Sequence, residues 1–188
     1  MKALIKKSLG GVLFIDEAYA LCEEGERGNF GEEAINTLLQ EVENHIGELV
    51  VILAGYPEPM QKFLDSNPGL KSRFPNVIHF PDYTAEELYQ ISVQIAKKNG
   101  FTFTQDVKEK LIPIFYSAMK IENYGNARFA RNLVETAELN RADNLAKKHK
   151  DFNKLTNEQL FTLTANEFEM PRLVEDTIKK QTMGFCIN

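Results

Sequence analysis

The chain of 188 residues is long enough for one large domain or two small ones with a sizeable core. Hydrophobic residues make up 43% and charged residues 26%, a composition that excludes an intrinsically disordered chain. The net charge of −5 gives no overall basic surface, which argues against nucleic acid as the main partner. No apolar run approaches the roughly 18 residues of a membrane span, so we expect no membrane partner.

The two cysteines, Cys22 and Cys186, lie far apart in the sequence and share no motif spacing. Such a pattern suits a reducing cytoplasm better than a disulfide framework. The first seven residues are too short and too charged a segment for a signal peptide. We therefore expect a cytoplasmic protein.

The first part of the chain has the pattern of a parallel βαβ unit. Residues 2–9 predict the end of a helix, and the apolar runs 11–15 and 49–54 predict strands buried on both faces. Between the strands, a polar loop at 22–29 precedes apolar residues at the four-residue spacing of a helix. Two short helical segments are expected next, followed by a third strand at 76–80.

The pattern then changes to helices alone, with no strand expected. Thr84 is followed three residues later by Glu87, a capping-box pattern that recurs at Thr156 and Thr164. From Gly125 onward, a long run with apolar residues at helical spacing predicts the longest helix. The predicted divisions are an α/β part over 1–82, an all-helical part over 83–170 and a C-terminal extension over 171–188.

Two carboxylates, Asp16 and Glu17, come directly after the first predicted strand. In parallel sheets, ligands bind in the crevice at the carboxyl ends of the strands. An acid there can hold a metal ion, and a second acid can act on a water molecule. The pattern resembles the Walker B acid pair of P-loop NTPases. The alternative is a buried strand that simply ends in polar residues.

Four motifs in order resemble the AAA+ ATPases, and within them the group of stage V sporulation protein K and the Rubisco-activase-like CbbX proteins. The motifs are GVLFIDEAYAL at 11–21, VVILAGYPEPM at 50–60, NPGLKSRFPNVIHFPDYT at 67–84 and GNARFARN at 125–132. The resemblance implies a P-loop α/β core followed by a helical lid domain, with ATP and Mg²⁺ as cofactors. It also implies a homo-oligomer in the form of a hexameric ring that remodels a protein client.

The resemblance implies a role for each candidate site residue in the α/β part. Asp16 would bind Mg²⁺ through its water shell, and Glu17 would orient and deprotonate the water that attacks the γ-phosphate. Tyr56 stands at the sensor 1 position, where many AAA+ proteins have asparagine, and a packed aromatic in a turn is the alternative. Arg73 would be the arginine finger that reaches the nucleotide of the neighbouring subunit.

The candidate arginines also have ordinary structural interpretations. Arg73 could be a surface residue paired with Asp65 or Glu58. By resemblance, Arg128 is the sensor 2 arginine, which contacts the γ-phosphate from the lid, and Arg131 lies three residues on, near the same helix face. The alternative is that both arginines only solvate the helix.

The sequence departs from the family pattern at one motif, because it contains no G-x-x-x-x-G-K-[ST] loop. The chain thus resembles the C-terminal two-thirds of an AAA+ module. We expect a sheet without its N-terminal strands and weak or no ATP binding by the chain alone. Two further functions stay open. One is a non-catalytic oligomerisation or regulatory module that supplies Arg73 in trans, and the other is a nucleic-acid motor, which the acidic charge and helical lid disfavour.

Overall fold

A computed structural model describes residues 1–22, 30–149, 154–172 and 174–175 of the chain. Most of the polar loop predicted at 22–29, and most of the extension predicted at 171–188, lies outside these residues. The chain divides into two compact units, Met1–His79 and Phe80–Asn188. In the described part, no helix combines the length and the apolar character that crossing a membrane requires.

The first unit is built around a parallel pair of strands. Its elements are helix α1 (Lys2–Ser8), strand β1 (Val12–Ile15), a 3₁₀ turn (Ala18–Leu21), helix α2 (Phe30–Asn44), strand β2 (Val50–Leu53), helix α3 (Pro57–Ser66) and helix α4 (Pro68–Arg73). The two strands pair in register, with Val12 opposite Val50 and Ile15 opposite Leu53. The predicted βαβ unit and the two short helices after it are therefore confirmed.

Only one face of this two-stranded sheet is buried by the described residues. Leu13 packs in a buried cluster with Ile5 of α1 and Leu38 of α2. Val12 and Phe14, whose side chains point to the opposite face, are 57% and 58% exposed. The prediction that the strands are buried on both faces is therefore wrong for the described chain, because its helices cover a single face.

The strand predicted at 76–80 does not form. This segment has no regular secondary structure, and Val77, Ile78 and Phe80 are each more than three-quarters exposed. A strand needs a hydrogen-bonded neighbour, and in the described structure β1 and β2 pair only with each other. The segment therefore has the composition of a strand but no partner for its backbone groups.

The second unit is mainly helical. Its elements are helix α5 (Ala85–Lys98), strand β3 (Thr102–Phe103), helix α6 (Asp106–Ala118), helix α7 (Ala127–Lys148), helix α8 (Asn157–Phe161), strand β4 (Thr162–Leu163) and a 3₁₀ turn (Ala165–Glu167). The expectation of helices alone is wrong in one detail, because β3 and β4 form a short parallel pair. Two-residue strands are too short to show the alternation by which strands are found in a sequence.

One buried apolar core holds the second unit together. Helices α5, α6 and α7 each contribute fully buried side chains, among them Leu88, Phe115 and Val134. The capping boxes predicted at Thr84 and Thr156 are present at the starts of α5 and α8. The third predicted box, at Thr164, opens the last 3₁₀ turn.

Candidate functional site

Backbone hydrogen bonds fix the acid pair, Asp16 and Glu17, beside the end of β2. The N–H of Ala18 donates to the carbonyl of Ala54 at 3.0 Å, and the N–H of Ala54 donates to the carbonyl of Ile15 at 2.9 Å. These two bonds continue the strand pairing beyond the last residues of β1 and β2. Both acidic residues are exposed, so the site is open to a ligand.

The second residue of the acid pair, Glu17, lies in a strained turn. Glu17 has φ 49° and ψ 45°, in the left-handed region that residues other than glycine seldom occupy. Its N–H donates to Oδ1 of Asp16 at 3.0 Å, which restrains that carboxylate. Such backbone strain is concentrated at functional sites of proteins, where the surrounding structure holds it in place.

The end of β2 is closely packed against the turn that follows the acid pair. A Cβ atom on Gly55 would lie 2.8 Å from the ring of Tyr19 and 2.8 Å from the sulfur of Met60, so a larger residue would require these side chains to shift. Tyr56 comes next, at the N-cap of α3, and its side chain is 58% exposed. The structure thus places an exposed phenol, rather than a packed aromatic, at the strand end adjacent to the acid pair.

Arg73 ends α4 and forms an ion pair with Glu43 of α2. Its side chain is only 31% exposed, and its Nε is buried with no hydrogen-bond acceptor among the described residues. Neither Asp65 nor Glu58, the partners considered from the sequence, binds it. Asp65 instead forms an ion pair with Lys71.

Arg128 and Arg131 belong to the second unit, where they lie in the first two turns of α7. Both side chains are exposed. Neither guanidinium forms an ion pair or a hydrogen bond with any residue in the described part of the chain. Both are therefore available to an anionic ligand.

The start of α7 is held by Asn126, a residue that the sequence analysis did not single out. Its Nδ2 donates to Oδ1 of Asp82 at 2.6 Å, and its Oδ1 accepts from the N–H of Tyr83 and the hydroxyl of Tyr124 at 3.2 and 3.1 Å. Its backbone has φ 51° and ψ −124°, which is strained for asparagine. The three side-chain bonds stabilise this turn and so orient the helical turn that carries Arg128.

The hydroxyl of Tyr124 is itself affected by this cluster. Burial raises the pKa of Tyr124, and the negative charge of Asp82 raises it further. The phenol therefore stays protonated and keeps donating its hydrogen bond to Asn126 at neutral and moderately alkaline pH.

The carboxylates of the acid pair fit a magnesium site of the nucleotide-dependent kind. In such sites, Mg²⁺ is bound by one or two carboxylates, with water and substrate phosphates completing the shell. Asp16 offers an exposed carboxylate with one restrained oxygen. The described residues contain no cluster of three or more metal-binding side chains, such as an all-protein cage would use.

Comparisons with known proteins identify the family of both parts of the chain. The family model described as "ATPase family associated with various cellular activities (AAA)" matches residues 1–82, and the model of the AAA lid domain matches residues 84–180. A crystal structure of the FIGL-1 AAA domain superposes on the whole chain and on 62% of its own length, with a TM-score of 0.62. At 16% identity, that similarity establishes the fold alone.

Curated relatives share more of the sequence. A CfxQ homologue of Galdieria sulphuraria is 39% identical over 93% of this chain and 57% of its own length. The chloroplastic ribulose bisphosphate carboxylase/oxygenase activase of Cyanidioschyzon merolae is 38% identical over 93% of this chain and 59% of its own length. The ESX-3 secretion system protein EccA3 of Mycolicibacterium smegmatis is 41% identical over 89% of this chain and 29% of its own length.

The chain belongs to the AAA ATPase family, with an AAA lid domain as its second part. The CfxQ and activase relatives confirm the resemblance to the CbbX-like group. The chain spans less than two-thirds of the length of these relatives.

Proposed function

We propose that this chain is the part of an AAA+ ATPase subunit that carries the water-activating carboxylates, an arginine finger and the lid. The whole protein would couple ATP hydrolysis to the remodelling of a protein client. The acid pair supports this proposal most directly, because strand pairing fixes it at the carboxyl end of a parallel sheet. A relative whose name is that of an activase supports a protein as the client.

Each residue of the acid pair has a separate role in this proposal. Asp16 would bind Mg²⁺, which when present neutralises the charge that develops on the phosphoryl oxygens. Glu17 would orient the attacking water and accept its proton. The exposed hydroxyl of Tyr56 would donate a hydrogen bond that helps to position the same water.

The arginines would supply positive charge from two different directions. In a homo-oligomeric ring, which we propose to be a hexamer, Arg73 would reach the nucleotide of the neighbouring subunit. Arg128, with Arg131 beside it, would contact the nucleotide of its own subunit from the lid. Arg128 and Arg131 have no partner among the described residues, which supports a role in binding an anion.

The sequence has no glycine-rich loop to bind the phosphates, so we propose that this chain alone binds ATP weakly or not at all and does not hydrolyse it. We also propose a cytoplasmic location. Cys22 is a free, exposed thiol, which is typical of proteins in reducing compartments.

Mixed rings test the acid pair and the finger together. The test uses subunits in which a G-x-x-x-x-G-K-[ST] segment precedes residue 1, with this chain alone as the inactive control. Glu17→Gln should lower ATP turnover about 100-fold or more, and Arg73→Ala about 1,000-fold. An equal mixture of the two inactive variants should recover roughly a quarter of the wild-type rate if subunits assemble at random.

The recovery follows because the Arg73→Ala subunit keeps its acid pair and the Glu17→Gln subunit keeps its arginine finger. An active site forms wherever a Glu17→Gln subunit supplies Arg73 to the nucleotide of an Arg73→Ala neighbour. Lys71→Ala removes a cation two positions away on the same helix and should leave turnover unchanged. If Glu17→Gln preserves turnover, the water-activating assignment is wrong. If the mixture stays inactive although both variants bind ATP, Arg73 does not act across the interface.

A further inference from the structure

Helix α4 approaches α2 closely at a glycine. A Cβ atom on Gly69 would lie 3.0 Å from Cδ1 of Leu39, so a larger residue here would require the Leu39 side chain to shift. Glu43 lies one turn beyond Leu39 on α2, and therefore on the same face. Arg73 lies one turn beyond Gly69 on α4 in the same way. The close contact at Gly69 thus brings Arg73 and Glu43 together.

The Arg73 side chain is folded back along its own helix. Its Nη1 lies 3.4 Å from the position that a Cβ atom on Gly69 would take, so the guanidinium occupies space that the glycine leaves open. Helical side chains tilt toward the helix N-terminus, which favours this course. An arginine that reaches a neighbouring subunit must extend away from its own unit. The observed conformation is therefore a retracted one.

The retracted conformation is held by weak interactions. The Glu43 side chain is 58% exposed, and ion pairs with such exposed partners contribute little stability. The buried Nε of Arg73 has no acceptor among the described residues, which is unfavourable for a donor removed from water. Glu43 contacts the guanidinium through one oxygen and one nitrogen. A ligand with several anionic oxygens can accept from two of its nitrogens at once.

We propose that Glu43 is a positioning residue that holds Arg73 retracted, and that phosphoryl oxygens displace the Glu43 carboxylate when the arginine extends. The ion pair is an exchange site: Arg73 leaves a carboxylate of its own unit and binds an anion outside it. The identity of that anion as the neighbouring nucleotide rests on the proposed function. The exchange itself rests on the geometry of α2 and α4.

Nuclear magnetic resonance of the arginine Nε–H groups tests the exchange in the 188-residue chain. The Arg73 signal is identified as the one lost in Arg73→Lys, and inorganic triphosphate is the probe, added at constant ionic strength. In Glu43→Gln, the Arg73 signal should reach half of its shift at a roughly two- to fivefold lower triphosphate concentration than in the wild type. Glu43→Ala should give the same change.

Glu33→Gln is the matched control, because Glu33 is also exposed, lies on the same helix and loses the same charge. It should leave the triphosphate midpoint of the Arg73 signal as in the wild type. The rate at which the Arg73 Nε–H hydrogen exchanges with water gives a second readout, which needs no ligand. That exchange should be slow in the wild type and faster in both Glu43 variants, with backbone spectra unchanged.

Three results would overturn the proposal. Equal triphosphate midpoints in the wild type and Glu43→Gln would show that the carboxylate does not compete. An equal effect of Glu33→Gln would reduce it to a general effect of charge. Exchange of the wild-type Nε–H as fast as in free arginine would show that the side chain is not retracted. None of these results depends on ATP turnover, so a failure of the mixed-ring test remains distinguishable from a failure here.

Discussion

The two units of the chain bury their apolar residues to different degrees. In the lid, residues such as Leu111 and Phe115 are completely buried in a core shared by three helices. In the α/β unit, the sheet leaves Val12, Phe14 and Ile52 on an exposed face. Helices satisfy their own backbone and need only one packed stripe, whereas a strand needs neighbours at its edges and cover on its faces. The helical unit therefore encloses an apolar core on its own, whereas the two-stranded sheet leaves one of its faces uncovered.

The units also hold their candidate site residues by different means. Main-chain hydrogen bonds at the ends of β1 and β2 fix the acid pair. In the lid, the turn before Arg128 depends on a single side chain, that of Asn126. Position is thus encoded by topology in the first unit and by one residue in the second.

Truncating a phenylalanine in each unit tests the difference in burial and has the largest expected effect. Phe115→Ala should lower the free energy of unfolding of the lid by about 3–5 kcal/mol, because it opens a cavity in a closed core. Phe14→Ala should cost the α/β unit less than about 1 kcal/mol, because the ring is already largely hydrated. Urea denaturation followed by resolved amide signals of each unit separates the two values. Similar losses in both units would remove the contrast.

A buried ion pair in the lid gives the next largest effect. Glu167 is only 3% exposed, and Arg141 Nη1 donates to its Oε1 at 3.2 Å. Arg141→Ala should lower the stability of the lid by on the order of 3 kcal/mol, because the glutamate charge stays buried without its cationic partner. Lys147→Ala removes the exposed partner of Asp143 in the same helix and should cost about 0.5 kcal/mol or less. Equal losses would show that burial does not decide the strength of these pairs.

The same glutamate makes the stability of the lid depend on pH. Burial pushes the pKa of Glu167 up, but hydrogen bonds from Thr164 and the Arg141 guanidinium outweigh it and hold the pKa below 4.5. A carboxyl whose pKa is lower in the folded state contributes stability above pH 4.5, and that contribution is lost as the pH falls through the folded value. Glu167→Gln should therefore flatten the acid side of the lid's stability profile. Glu135→Gln, at an exposed site of α7 in the same unit, should leave it unchanged.

Local patterns in the sequence are enough to predict most of the lid. The box at Thr84 and the long helix from Gly125 depend on residues three or four positions apart, and the structure confirms both. The segment 76–80 fails as a strand because strand formation depends on a partner distant in the sequence. The two-residue strands of the lid could not be predicted, because they are too short to show the alternation of apolar and polar residues that indicates a strand.

The residues of the candidate site also differ in whether a local sequence pattern reveals them. Asp16 and Glu17 could be found because an apolar strand precedes them directly, and their place at the strand end is observed. Glu43 could not be found, because it lies thirty positions from Arg73 and only helix packing joins them. Asn126 left a weak signal, since glycine followed by asparagine just before a helix marks backbone with positive φ.

Removing a helix cap should lower stability by the same amount in both units. This is the smallest expected effect, and it would show that the difference between the units does not extend to local hydrogen bonds. The hydroxyl of Thr84 accepts from the N–H of Glu87 at 3.2 Å in the lid, and Oδ1 of Asn67 accepts from the N–H of Gly69 at 2.8 Å in the α/β unit. Replacing either cap by alanine should lower stability by about 1 kcal/mol, because each bond is local and independent of the layers around it.

The Glu87 carboxyl reports the lid cap directly. Hydrogen bonds from the N–H and then the hydroxyl of Thr84 hold the pKa of Glu87 below 4.5. In Thr84→Ala only the N–H remains, so the pKa of Glu87 should rise toward 4.5 in a carboxyl titration followed by NMR, while Thr84→Ser should restore the low value.

If Asn67→Ala instead destabilises the α/β unit several-fold more than Thr84→Ala destabilises the lid, the first unit depends on its local bonds as well as its layers. The contrast between the units would then lie in their margin of stability and not in strand burial alone.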